Sequence, residues 1–210
     1  VIGLFLSLGY HLLSFLLPKP LVVWLTIGLL VFLTRGLHLD GFADTIDGLA
    51  SGGSRQKILE VMRDSRIGAF GVIGLILLIG AKYLSLNHIS NDLIVHSLIL
   101  MTVMGRNAMV LVCYLSPYAR SDGGLGKPFA KNLGIREVIL SSILAFGIVL
   151  WLTGMKGILV FLGVALSSLG YRFFFIKKLG GVTGDVLGAA NELAELLCLI
   201  LLVVLKSYLT

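Results

Sequence analysis

Apolar runs are the feature that most constrains what this chain can become. About seven of them, at approximately residues 1–17, 21–37, 68–86, 93–116, 138–153, 157–176 and 187–206, come near the roughly 17–25 residues that a helix needs to cross a bilayer. The chain is 57% apolar with only 13% charged residues, and its mean hydropathy is +1.01. A soluble domain of this size needs a far more polar surface. The pattern predicts an all-α, polytopic integral membrane protein of about seven transmembrane helices, with a short amphipathic helix on the cytoplasmic side. The runs leave no room for a soluble domain, so residues 1–210 are read as a single membrane-embedded domain.

Charge sets the expected orientation. Basic residues gather in the second, fourth and sixth connections: Arg35, Arg55, Lys57, Arg63 and Arg66, then Arg120, Lys127, Lys131 and Arg136, then Arg172, Lys177 and Lys178. The first, third and fifth connections hold only Lys19, Lys82 and Lys156. The positive-inside rule places the even connections in the cytoplasm, with the beginning of this sequence inside and its end outside. The net charge of +6 therefore reflects orientation, and no nucleic-acid partner is expected. Cys113 and Cys198 lie inside apolar runs and read as buried structural residues. Because the sequence opens on Val1 rather than Met, a segment preceding it is expected; the first run is read as a span, lacking the basic flank and cleavage site of a signal peptide.

The acids follow the same one-sided division, which topology alone does not require. His38-Leu-Asp-Gly-Phe-Ala-Asp-Thr-Ile-Asp47 places Asp40, Asp44 and Asp47 directly after an apolar run. Spacings of four and three put them within about 60° on a helix. Such close carboxylates repel one another unless a cation lies between them, and Mg²⁺ is the usual answer. His38 is open as base, ligand or hydrogen-bond partner of Asp40 or Asp44. A break at Ser51-Gly-Gly53 precedes a short amphipathic helix, with Ser54 as N-cap and Ile58, Leu59, Val61 and Met62 on its apolar side. It ends in Met62-Arg-Asp-Ser-Arg-Ile-Gly68, where Arg63 and Arg66 suit either capture of phosphate oxygens or anchoring at the inner leaflet.

A second acidic group opens the last run. On a helix Asp185, Gly188, Glu192 and Glu195 share a face about 80° wide. The glycines Gly180, Gly181 and Gly184 just before it resemble an anion-binding loop at a helix start. Two readings stand: a metal site, or glutamates that join helices by pairing with Arg172, Lys177 or Arg106. Arg106 is an intramembrane charge and so a functional candidate, or half of such a pair. The loop carrying Arg120, Asp122 and Lys127 is either substrate-contacting or simply solvated.

Two acid clusters on one side with arginines nearby favour metal-assisted phosphoryl transfer. A cation-coupled transporter would put its acids near the midplane and carry a symmetric repeat, and neither pattern is present in the sequence. Gly36-Leu-His-Leu-Asp-Gly-Phe-Ala-Asp-Thr-Ile-Asp-Gly-Leu49, Met62-Arg-Asp-Ser-Arg-Ile-Gly-Ala-Phe-Gly71, Pro117-Tyr-Ala-Arg120 and Gly180-Gly-Val-Thr-Gly-Asp-Val-Leu-Gly188 with Glu192 together resemble the cobalamin synthase family, the membrane adenosylcobinamide-GDP ribazoletransferases. Order and separation are similar over essentially the whole chain. Family members usually carry a further N-terminal stretch, and Phe42 stands where Leu is common.

The resemblance implies a Mg²⁺-dependent transferase of the inner membrane, with adenosylcobinamide-GDP and α-ribazole (or its 5′-phosphate) as substrates and GMP as leaving group. It implies Asp40, Asp44, Asp47, Asp185, Glu192 and Glu195 as metal ligands, and His38 with the first three as catalytic groups. Arg63, Asp64, Arg66, Arg106, Arg120, Lys127 and Gly184 would contact substrate. A homo-oligomer stays open. The runner-up is a CDP-alcohol phosphotransferase-like enzyme, from which the chain departs where Asp40-Gly41 continues Phe-Ala-Asp.

Overall fold

The computed structural model describes residues 1–114, 116–120, 123–124 and 126–207. Asp122 lies outside the described residues, as does the side chain of Lys131. The described chain is helical: α1 (Ile2–Ser14), α2 (Lys19–Leu33), α3 (Leu37–Ser51), α4 (Arg55–Val61), α5 (Ala69–His88), α6 (Asn91–Cys113), α7 (Lys127–Asn132), α8 (Ile135–Thr153), α9 (Gly157–Leu179) and α10 (Gly184–Ser207). The helix ends follow local chemistry. Pro18 and Pro20 open α2, where a missing N–H costs nothing. Arg35 and Gly36 both take left-handed backbone between α2 and α3, and the two helix axes meet at 89°. Gly36 adopts that conformation freely; Arg35 does so under strain. Ser54 caps α4 as expected, its hydroxyl accepting from the Lys57 amide at 3.3 Å, and Ile58 and Met62 point into the core.

Helices α6 and α10 form the centre of the bundle, and α3, α5 and α9 pack against α10. Leu98, Met101 and Met104 of α6 join Ala194, Cys198 and Leu199 of α10 in the main apolar core. The α8–α9 segment turns back on itself through a 3₁₀ turn at Gly154–Lys156, so that the Phe146 and Phe161 rings meet edge-on at 5.1 Å. The outer surface is apolar to a degree water would not tolerate: Trp151 is 82% exposed, Phe173 70% and Leu166 66%. This is an integral membrane protein. By length and composition four helical stretches can cross a bilayer, or five if α2 and α3 are one bent span. That number counts α8 and α9 once, as a 45-residue stretch, although it turns back on itself; α1, with 13 residues, is shorter than a span, and α2 counts only together with α3.

One reading of the sequence needs correction here. Lys82 is not in an outer connection but inside α5, its side chain buried toward α10.

Candidate active site

The site begins with a glycine crossing. A Cβ on Gly41 of α3 would stand 2.8 Å from the Asp185 Cα, and one on Gly188 of α10 would stand 3.2 Å from the His38 carbonyl oxygen. Only hydrogen at both positions lets the two backbones approach this closely. The crossing joins segments well separated in sequence and brings Asp44 into the electrostatic reach of Asp40, Asp185 and Arg120. The crossing thus brings the face of α3 that carries Asp40 and Asp44 against the start of α10 that carries Asp185.

Asp185 is fixed by its neighbours. Arg120 donates to its Oδ2 at 2.7 Å and the Thr183 hydroxyl donates to the same oxygen at 3.3 Å. Thr183 also caps α10, accepting from the Val186 amide at 3.2 Å. Arg120 is delivered by the loop after α6. That loop is tied to the α9–α10 turn by a two-residue bridge, Ala119 N–H to the Val182 carbonyl and Val182 N–H to the Pro117 carbonyl, both at 2.9 Å. Arg120 also reaches the Met62 carbonyl at 3.3 Å, and its buried Nε has no hydrogen-bond partner among the described residues. Gly126 packs on Gly184, which sets Lys127 beside the start of α10. Next to Asp185 and Arg120 a cleft of about 670 Å³ opens, lined by Arg55, Gln56, Glu60, Arg63, Tyr118 and Arg120.

The other carboxylates are otherwise engaged. Asp47 shares the acidic face of α3, yet its two oxygens accept from the Gly68 amide at 2.7 Å and the Gly71 amide at 2.8 Å. It caps the N-terminus of α5, where the helix dipole favours negative charge. A Cβ on Gly68 or Gly71 would overlap that carboxylate. Glu192 and Glu195 lie deeper, each accepting from Lys82 Nζ at 2.6 Å, and Glu195 also from Arg106. The side chains of Lys82, Glu192 and Glu195 are 3%, 5% and 0% exposed. Asn191 adds donors to both glutamates, at 3.3 and 3.1 Å. The helix-joining reading of the glutamates is thus the one the structure displays. Arg106 serves as one of the partners named for it, and Lys82 is a second that the sequence did not suggest.

His38 is partly buried, and the charged groups that act on it are Arg106, Glu195 and Lys82 of this ionic knot. Arg66 holds Asp64 through two side-chain bonds at 3.0 and 2.7 Å and one backbone bond at 3.0 Å, on the exposed turn before α5. These bonds hold the Asp64 carboxyl at about 2, well below the usual carboxylate range. Arg63, not Arg66, faces the cleft.

Among the described residues no three His, Cys, Asp or Glu side chains stand close enough to cage a metal ion. The side chains of Asp40 and Asp44, by contrast, make no hydrogen bond or ion pair among the described residues. Lys82 and Arg55 are what sequence reasoning missed. A lysine within an apolar helix was the available signal for the first; Arg55, whose Nη2 donates to the Ala119 carbonyl at 2.9 Å, offered none beyond its charge.

Converging carboxylates, a buried arginine and a cationic cleft at one end of an apolar bundle define a membrane-embedded protein equipped to handle phosphorylated ligands. Comparison with known proteins is specific: residues 1–203 match the family model for cobalamin-5-phosphate synthase. The chain belongs to that family. It is 39% identical over 195 residues to an adenosylcobinamide-GDP ribazoletransferase of Alkaliphilus metalliredigens, covering 93% of this chain and 77% of the relative. Relatives of the same name in Acetivibrio thermocellus (37% identical, 98% of this chain and 83% of theirs) and Geotalea daltonii (38%, 96% and 81%) are similar across the same extent. No solved structure matches.

Proposed function

We propose that this chain transfers the phospho-cobinamide group of adenosylcobinamide-GDP to the 5′-hydroxyl of α-ribazole or its 5′-phosphate, releasing GMP. The observation that carries the reading is the convergence of Asp40 and Asp44 with Asp185 and Arg120 beside an arginine-lined cleft, in a chain whose curated relatives bear that activity's name. The ribazole oxygen attacks the phosphorus attached to the cobinamide arm; the bond to the bridging oxygen breaks, and GMP departs with the electron pair. Arg120 and Arg63 stabilise the charge that accumulates on the phosphates. Asp40 or Asp44, on the α3 face that meets Asp185, takes the proton from the attacking hydroxyl.

The residues suit Mg²⁺. This ion is held by one or two carboxylates together with substrate phosphates and waters rather than by a protein cage, and among the described residues the Asp40 and Asp44 side chains are carboxylates without a bond. When bound it would neutralise the pyrophosphate. Asp47, Glu192 and Glu195 are assigned structural work instead. Asp40 lies in the first turn of α3, Asp44 one turn further on and Asp185 in the first turn of α10, and the basic connections, by the positive-inside rule, support a cytoplasmic face of the inner membrane for this site.

The test incubates detergent-purified chain with both substrates and Mg²⁺ and measures GMP. Asp40→Asn and Asp44→Asn should abolish release while the protein still inserts and folds. Absence of GMP from the wild-type chain, or release of CMP from a CDP-linked donor, would overturn the assignment.

A further inference from the structure

The cleft beside Arg120 has more chemistry than a diphosphate requires. Its volume of about 670 Å³ is that of a site for a whole small ligand, since such pockets run from about 300 to 1,000 Å³. The face of α4 that lines it carries Arg55, Gln56, Glu60 and Arg63. Ile58 and Met62, on the opposite face, are buried and hold the helix in place. Arg63 lies one turn beyond Glu60, toward Arg120, which itself reaches the Met62 carbonyl at 3.3 Å. Arg55, at the start of α4, is turned to the Ala119 carbonyl, while Arg63 and Arg120 stand together at its C-terminal end. Gln56 and Glu60, four residues apart, stand one above the other on the part of the helix leading away from that end.

Glu60 is the only carboxylate among the described residues lining the cleft. Its present partner is Lys57, at 3.3 Å, with both side chains more than half exposed, so the pair is cheap to separate. A purine is identified by its hydrogen-bonding edge. Guanine shows an acceptor, O6, beside two donors, the N1–H and the 2-amino group. A carboxylate accepts from two adjacent donors at once, and a neighbouring amide N–H₂ supplies what O6 needs. Adenine offers the opposite order and finds no match.

We infer that the cleft is the nucleotide subsite and that Glu60 selects guanine, accepting from N1–H and the 2-amino group while Gln56 donates to O6. The inference rests on the proposed reaction for its leaving group, and deepens it by assigning a residue that determines specificity. The diphosphate lies toward Arg63 and Arg120 with its reacting phosphorus at Asp44 and Asp185, and the base extends back along α4. Tyr118 and Leu59 supply apolar surface to the ring.

Equilibrium dialysis of the full chain in detergent, with GDP, inosine diphosphate and xanthosine diphosphate as probes, tests the assignment. Wild-type protein should bind GDP about tenfold or more tightly than inosine diphosphate, which lacks the 2-amino group. In Glu60→Ala the two should fall within about twofold of each other, because the distinguishing acceptor is gone. Glu60→Gln should gain xanthosine diphosphate, since an amide can donate to the xanthine 2-oxo group while accepting from N1–H; a purely structural role for Glu60 predicts no such gain. Wild-type protein that does not discriminate, a Glu60→Ala variant with the wild-type ratio, or no gain in Glu60→Gln overturns the inference. Turnover is read separately. Guanine selectivity that depends on Glu60, in a protein releasing no GMP from adenosylcobinamide-GDP, would overturn the reaction and support the subsite.

Discussion

Replacing Lys82 by Met removes the only cation ion-paired with Glu192 among the described residues. Lys82, Arg106, Glu192 and Glu195 together are formally neutral, and the Met variant leaves one uncompensated negative charge among apolar helices. Breaking a buried pair by deleting one partner costs about 3–5 kcal/mol, mostly the penalty of a charge left without a partner. For a chain of this length each kcal/mol moves the melting temperature by roughly 2–4 °C, so Lys82→Met should melt roughly 6–20 °C lower in detergent. The double variant Lys82→Met/Glu192→Gln restores neutrality, with Arg106 still paired to Glu195, and should recover half or more of the loss. Static light scattering and intrinsic fluorescence during a thermal ramp measure both proteins under one condition. Two results would refute the reasoning: a single variant within about 2 °C of wild type, or a double variant no more stable than the single one.

Asp47→Asn keeps one acceptor for the Gly68 or Gly71 amide and turns a donor toward the other, so it should cost about 1–2 kcal/mol of stability by chemical denaturation. Gly71→Ala should cost more than Asp47→Asn in the same assay, because its Cβ overlaps the carboxylate and the carboxylate is held by α3. Gly41→Ala pushes on the Asp185 backbone 2.8 Å away; GMP release should fall at least about tenfold, whereas Gly80→Ala, which meets no neighbouring atom within 4 Å, should not change it. The Asp64 carboxyl, held at about 2 by Arg66, is depressed below its unfolded value near 3.9. Its contribution is therefore fully present above about pH 5 and lost as pH falls through 2, so the melting difference between wild type and Asp64→Asn should stay constant from pH 8 to about 5 and vanish by about pH 1.

The parts of this protein that the sequence announces are those governed by local spacing. Ser54 before an amphipathic turn, Gly-Gly at 52–53, and Asp40 and Asp44 one turn apart all lie where periodicity and capping chemistry put them. The face shared by Asp185, Gly188, Glu192 and Glu195 is also real, and it does turn inward. What spacing leaves open is the partner each charge meets. Lys82 and Glu192 are 110 positions apart, and Asp47 finds its two donors 21 and 24 positions ahead. Helical phase told the acids of α3 apart from its apolar side but could not separate Asp47, which caps a neighbour, from Asp44, which faces Asp185. A capping carboxylate and a ligand carboxylate look alike until the chain brings a helix terminus to one of them.

The ionic knot also imposes an order on how this protein is made. Lys82 leaves the ribosome more than a hundred residues before Glu192 and Glu195, whose carboxylates it will hold. At about 5–20 residues per second that interval is on the order of 5–20 s. During it, α5 carries an orphan ammonium whose burial at a helix centre costs about 2.5–3.5 kcal/mol by insertion scales. Its seating in the bilayer stays provisional until the last helix arrives. A ribosome that stalls short of α10 therefore yields a chain with one helix poorly committed to lipid, a natural target for membrane quality control.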